Sequence, residues 1–414
     1  MKNNRIIRSL IPVLACCMIH ATAAYAQEGH LEDYIALAMT HNPRLEASRL
    51  QYEISKEKQE EVQTLPNTEF GFGYFVSEPE TRTGAQKAKF SVKQMIPWFG
   101  SITSREHYAS SMAEAEYQNI AILKRQLVKD LSAAYYNLYT LKAQQEVIDD
   151  QLALLEAYRQ VILAAVESGN AGIADVLKLQ IRENELKNKK AILETRHNAT
   201  EVNFINLIGT SPEQHIALPD TLTLLPEDLD RPYEISAVHP ELLKYDQLYE
   251  SVVQMEALNR KEGSPNLGIG LDYIPVAERT DVQLSDNGKD IIMPMVSLSI
   301  PIFNKKYRSV DRQTELQKQK LELEKQERIN QLQTLLSNAT EKTRAARLNV
   351  ETALKNIGET NKVLAIMKQR FQTGSIRMTE LLEILELQLD LELNIQKEIN
   401  TYYQQLLTVN YLSK

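Results

Sequence analysis

The chain has 414 residues, with 47 basic and 55 acidic side chains and a formal net charge of −8. That balance argues against a nucleic-acid binder, whose footprint is a basic patch or stripe. The only cysteines are Cys16 and Cys17, and no apolar run of about 18 residues occurs after the first segment. This excludes thiol chemistry, a disulfide framework and membrane-spanning helices from the rest of the chain.

Residues 1–26 read as an export signal. Lys2, Arg5 and Arg8 form a basic start, Leu10 to Ile19 an apolar middle, and Ala24-Tyr25-Ala26 a small-residue cleavage site. Val13-Leu-Ala-Cys16 is similar to a lipoprotein cleavage site, but the residues after Cys16 are still signal-like. Cleavage after Ala26 leaves 44 basic against 55 acidic residues, a net charge of −11, and no cysteine. An exported chain without an apolar helix can enter a membrane only through strands.

Residues 31–64 carry helical spacing in Leu31, Tyr34, Ile35, Ala38, Leu45, Leu50 and Ile54. The period then changes to two. Over 66–76, Phe70, Phe72, Tyr74 and Val76 point one way and Glu69, Gly71, Gly73 and Phe75 the other. A polar loop covers 77–86. Over 87–96, Ala88, Phe90, Val92 and Ile96 oppose Lys87, Lys89, Ser91 and Lys93, and Pro97-Trp-Phe-Gly100 ends the strand. Residues 101–168 are almost free of Gly and Pro, which predicts a helix of roughly 100 Å at 1.5 Å per residue. A helix that long needs partners along a coiled coil. At Val166-Glu-Ser-Gly169 the periodicity breaks, Asp175 follows, and a returning helix is expected over 173–208.

The chain then repeats itself. Residues 27–209 form the first copy, 210–233 a Pro-rich linker and 234–414 the second copy. Asn42-Pro43 matches His239-Pro240, and Leu65-Pro-Asn-Thr-Glu-Phe-Gly-Phe-Gly-Tyr74 matches Gly263-Ser-Pro-Asn-Leu-Gly-Ile-Gly-Leu-Asp-Tyr273. Pro97-Trp-Phe-Gly100 matches Pro301-Ile-Phe-Asn304. A helix is expected at about 237–261, strands at about 265–274 and 290–300, a long helix to about 372 and a last helix to about 410. The break comes again at Phe371-Gln-Thr-Gly374, with Glu380 six residues later. Each glycine fits a left-handed helix end and each acid the N-terminal dipole of the next helix.

The class is therefore mainly α with a small β part, built from a duplicated helix-strand-strand-helix-helix unit. Four strands of about ten residues with one apolar face have the length and alternation of membrane strands. Four cannot close a barrel, and three chains would supply twelve. A soluble four-stranded sheet on a helical bundle would explain neither the export signal nor the apolar faces.

This order of elements, with the strand ends Pro97–Gly100 and Pro301–Asn304 and the glycine tips, resembles the TolC family of outer-membrane efflux channels over nearly the whole mature chain. The resemblance implies a homotrimer with a 12-stranded barrel in outer-membrane lipid and a coiled-coil barrel of helices in the periplasm. It also implies a tip that docks on a periplasmic adaptor bound to an inner-membrane pump. On the same resemblance Gly169 and Gly374 are the tip turns, Glu380 and Glu383 ring the narrow end, and Asp175 helps latch the closed tip. Here the family's latch arginine is replaced by Ile376, with Arg377 beside it, and its latch tyrosine by Phe371. That leaves Arg377 or Arg370 as the remaining cations.

Other readings fare worse. The seven histidines include no i, i+4 pair, and GxG fragments such as Gly71-Phe-Gly73 lack a third glycine, so no catalytic, cofactor or metal site is expected. Met293 and Met295 would face a barrel interior. Thioethers suit soft metals, but strand packing is the commoner reason for such a pair. A periplasmic coiled-coil adaptor, the alternative outside the channel class, has one hairpin set among compact β-domains rather than two duplicated hairpins with membrane-length strands.

Overall fold

The computed structural model describes residues 29–169, 172–210, 216–225, 233–281, 283–303 and 305–413. The export segment, Asn304 and part of the linker lie outside them. The chain divides into two compact units. One draws on Met1–Ala47, Ile122–His239 and Asn330–Lys414, the other on Ser48–Ala121 and Pro240–Ile329.

The elements in chain order are α1 (Gly29–His41), α2 (Pro43–Val62), β1 (Glu69–Tyr74), β2 (Glu80–Thr81), β3 (Gly84–Ala85), β4 (Ala88–Ile96) and α3 (Ser101–Glu167). Then come α4 (Ile173–Ile208), α5 (Pro240–Glu262), β5 (Asn266–Ile274), β6 (Ile291–Ser299), α6 (Lys305–Gln372) and α7 (Met378–Ser413). The helical stretch expected over 31–64 is two helices. Pro43 suits a first helical position, where no N–H is needed, and Asn42 caps the new helix by accepting the Leu45 N–H at 3.0 Å. The Asn42 amide also donates to the Leu207 carbonyl at 2.8 Å, which fixes the break against α4.

The unit of residues 48–121 and 240–329 holds an antiparallel four-stranded sheet in the order β1-β4-β5-β6. Gly71 pairs with Ser91, Ser91 with Asp272 and Asp272 with Met293, so one row crosses all four strands on one face. The next row on that face is Glu69, Lys93, Gly270 and Met295. The opposite face carries Phe70, Phe72, Tyr74, Phe90, Val92, Leu267, Ile269, Leu271, Tyr273, Val296 and Leu298, all exposed; Phe72 is 68% and Val296 76% accessible. The sheet is not closed: β1 and β6 are open edges. β1 spans six residues although the alternation runs over eleven, because its register with β4 ends at Tyr74 opposite Ala88. The expected loop at 77–86 contains the β2–β3 ladder. It joins the second loop through hydrogen bonds from the Ala277 N–H to the Ala85 carbonyl (2.8 Å) and from the Gly288 N–H to the Thr83 carbonyl (2.8 Å).

The other unit is a helical bundle. Leu141, Ile148, Leu155 and Ile162 of α3 recur every seven residues, as do Leu179, Leu186 and Leu193 of α4. They share one core with Leu364 of α6 and with Met378, Leu381, Leu385, Leu389 and Leu393 of α7. The heptad spacing keeps one seam facing the neighbouring helices. Each fully buried leucine contributes about 1.5–3 kcal/mol.

The described linker residues 216–225 are fastened to this bundle by side chains from four helices. Tyr34 accepts the Ala217 N–H at 2.9 Å, and Tyr135 donates to the Ala217 carbonyl at 3.0 Å. Tyr139 accepts the Leu222 N–H at 3.0 Å, and Tyr403 donates to the Thr223 carbonyl at 2.6 Å. Arg347 donates to the Leu225 carbonyl. Burial, with a smaller contribution from Tyr34, pushes the Tyr135 phenol up to about 12. Burial also raises Tyr139.

Candidate functional site

Both hairpin tips lie in the bundle unit. At the first, α3 ends at Glu167 and Gly169 turns at φ +77°, its N–H donating to the Val166 carbonyl at 3.0 Å. At the second, α6 ends at Gln372 and Gly374 turns at φ +70°. The N–H groups of Gly374 and Ser375 close the turn on the carbonyls of Phe371 (3.0 Å) and Arg370 (2.8 Å). Space is open around both glycines, so the left-handed backbone alone requires them. Gly209 is different. It ends α4 at φ +86°, and a Cβ there would meet the His41 carbonyl oxygen at 2.3 Å.

The sequence-derived site residues separate into two groups. Asp175, Arg377 and Glu380 come together along a cleft of about 690 Å³ between the tips, with Phe371 and the buried Ile376 and Met378 in its walls. Glu383 lies one turn further along α7, exposed and outside that wall. Asp175 sits in the first turn of α4, which has no side-chain cap at Gly172, so its charge meets an uncapped helix N-terminus. Glu380 reaches back to accept the Arg377 N–H at 3.2 Å. This is the acidic half of a capping box. Its carboxylate therefore organises its own helix start as well as facing the cleft.

Asp175 and Arg377 share the cleft, but no ion pair joins them among the described residues. The Phe371 ring packs edge-on against Tyr158 of α3, with centroids 6.3 Å apart. Burial raises the Tyr158 phenol above its ordinary range. The position that lacks a hydroxyl thus makes an apolar contact.

One contact between the hairpins escaped the sequence reading. Arg182 of α4 reaches Glu386 of α7 at 3.1 Å and also holds Glu185 at 3.0 Å. A signal existed: Arg182 stands thirteen residues past Gly169 and Glu386 twelve past Gly374, opposite charges within one residue of the same depth in the two copies. Gln144 of α3 also donates to the Leu393 carbonyl of α7 at 3.4 Å, while several other polar contacts near the tips stay within a hairpin. Lys190 binds Asp149 at 2.7 Å and Arg159 lies 3.6 Å from Glu183 between α3 and α4. Gln388 donates to Asn361 at 3.2 Å between α7 and α6.

No family model matches the sequence, and no curated protein matches it. Solved structures do. CusC, whose crystal structures concern folding and transmembrane channel formation, is 12% identical with a TM-score of 0.76, over 92% of this chain and 91% of its own. The Campylobacter jejuni outer membrane channel CmeC is 14% identical with a TM-score of 0.74, over 92% and 85%. The Vibrio cholerae outer membrane protein VceC is 14% identical with a TM-score of 0.73, over 93% and 96%. The chain has the fold of the TolC-family outer-membrane efflux channels.

Proposed function

We propose that the chain is one third of an outer-membrane efflux channel. Three copies close a twelve-stranded barrel, and the hairpins form a conduit in the periplasm. Its tips meet a periplasmic adaptor and inner-membrane pump. The two copies of the repeat, 27–209 and 234–414, each give two strands and one hairpin. The observation that carries this reading is the four-stranded sheet with two open edges and an exposed apolar face. In lipid an unpaired edge is untenable, so the strands must find partners in further copies.

The details of the sheet fit a bilayer. Tyr74 and Tyr273 stand toward one end of the apolar face. Trp98, Phe99 and Phe303 are exposed where β4 and β6 leave the sheet for α3 and α6. Aromatic girdles of this kind flank the apolar band of membrane barrels. The inner face carries small, polar and charged residues together with methionines. Asp272 is fully buried there and ion-paired with Lys89. Met295 closes over Gly270, with its Cε 3.6 Å from where a Cβ would stand, so packing accounts for that thioether.

At the tips, Glu380 and Glu383 from three chains would place six carboxylates around the narrow end. Such a ring concentrates cations and discourages anions. Purified protein in a planar bilayer under a salt gradient tests this. The parental channel is expected to prefer cations, and E380Q/E383Q to lose most of that preference. An unchanged reversal potential would dismiss the ring.

A further inference from the structure

We propose that Lys305, Lys306 and Arg308 of one copy pair with Glu60 and Glu61 of the next, across the seam where β6 of the one meets β1 of the other. This rests on the channel reading above, and it names side chains that would join the copies. All five are exposed, and none makes an ion pair among the described residues.

The internal repeat places a template for this seam inside the chain. β4 of the first repeat pairs with β5 of the second. On the helix side of that pair, Arg105 in the second turn of α3 donates to Glu262, the last residue of α5, at 3.3 Å. α5 also meets α6, where Asn259 donates to the Asp311 carboxylate at 2.8 Å and to the Tyr307 carbonyl at 2.9 Å. In the first repeat the matching contact is between α2 and α3, with the rings of Tyr52 and Tyr117 5.4 Å apart. The counterpart of the α3–α5 ion pair then joins α6 of one copy to α2 of the next.

The charges agree with that placement. A helix C-terminus favours cations and an N-terminus favours acids. α2 ends on Glu60 and Glu61 with no base in its last turn, and α6 begins on Lys305, Lys306 and Arg308 with no acid in its first. Each set opposes the dipole of its own helix, so neither serves that helix alone. Set side by side, they offset each other. Both stand at the same end of the sheet, next to an open edge: residues 63–68 lead from α2 into β1, and 300–304 from β6 into α6. Exposed apolar side chains continue the match, Leu50 and Ile54 on α2 with Leu316 and Leu323 on α6.

The test takes the full mature chain, extracted in mild detergent, as parental protein, E60K/E61K, K305E/K306E/R308E and the combination of all five. A solvent-exposed pair shifts an equilibrium by about two- to fivefold, and the three seams of a trimer compound this to about tenfold or more. Each reversal is expected to lower the trimer-to-monomer ratio about tenfold at low salt. The combination should restore most of it, because the charges are again opposite. High salt should narrow the differences. No cysteine follows Cys17, so oxidised E61C/R308C should run as covalently joined chains, and E61C or R308C alone should not. Reversals without effect, a combination no better than either, or a trimeric E61C/R308C that does not cross-link would overturn the seam while leaving the channel intact. A parental chain that is never trimeric would overturn the channel reading, and the seam with it.

Discussion

The sheet and the bundle are built inside out with respect to each other. In the bundle, Leu141, Leu155, Leu179 and Leu385 are buried, and among its described Asp, Glu, Lys and Arg residues only Glu183 and Arg347 are buried too. In the sheet, Phe72, Ile269 and Val296 are exposed and the fully buried side chain at the centre is Asp272, paired with Lys89. On the proposed channel reading, the same apolar residue types occupy opposite sides because the surrounding solvents differ. Water would drive the bundle seam together, whereas lipid would accept the apolar face of the sheet and reject only unpaired backbone and charge. One chain carries both arrangements, and the period of its apolar residues announces the change, from seven in α3 to two in β4.

The comparison can be broken by substitutions matched across it. Leu155→Ala in the bundle seam is expected to cost about 2–5 kcal/mol of stability, read from the denaturant midpoint, since it deletes buried apolar volume. A loss below about 1 kcal/mol would mean the seam is not the core. Val296→Arg on the apolar face of the sheet is expected to cost about 2–4 kcal/mol near the bilayer midplane. Ser297→Arg, one residue along on the inner face, should be far milder. The folded fraction recovered from outer membranes measures both, and equal damage would contradict a lipid-facing and a lumen-facing side.

A smaller effect sharpens the bundle side. Tyr135 is held near 12 by burial while it donates to the linker carbonyl of Ala217. Its folded value lies above the unfolded one of 10. The stability it contributes is therefore complete below pH 10 and is lost as pH rises from 10 through about 12. Comparing alkaline unfolding of the parental chain with Tyr135→Phe isolates this. The parental protein should lose ground to the variant only above pH 10, and parallel curves throughout would remove the tyrosine from the account.

Much of this was legible because local patterns carry it. Alternation at 87–96 and 265–274 marked the strands, and Gly169 and Gly374 marked the turns because left-handed backbone selects glycine. The linker's anchorage was not legible: Tyr34, Tyr135, Tyr139, Tyr403 and Arg347 come from helices far apart in sequence, and no local period brings them together. The break at Asn42 is half legible, since Pro43 announces it but the tie to Leu207 is 165 residues away. At the tips, the acids could be placed in the first helical turns. That Glu380 caps its own helix while Arg182 and Glu386 make the cross-hairpin contact depends on how α4 packs on α7, which spacing along one helix does not state.

The most direct test of the central claim is the mass of the mature protein extracted from outer membranes in mild detergent, corrected for bound detergent. Three copies sharing one barrel predict three chain masses and a requirement for detergent. A single chain that stays in solution without detergent would contradict the shared barrel, and the channel with it.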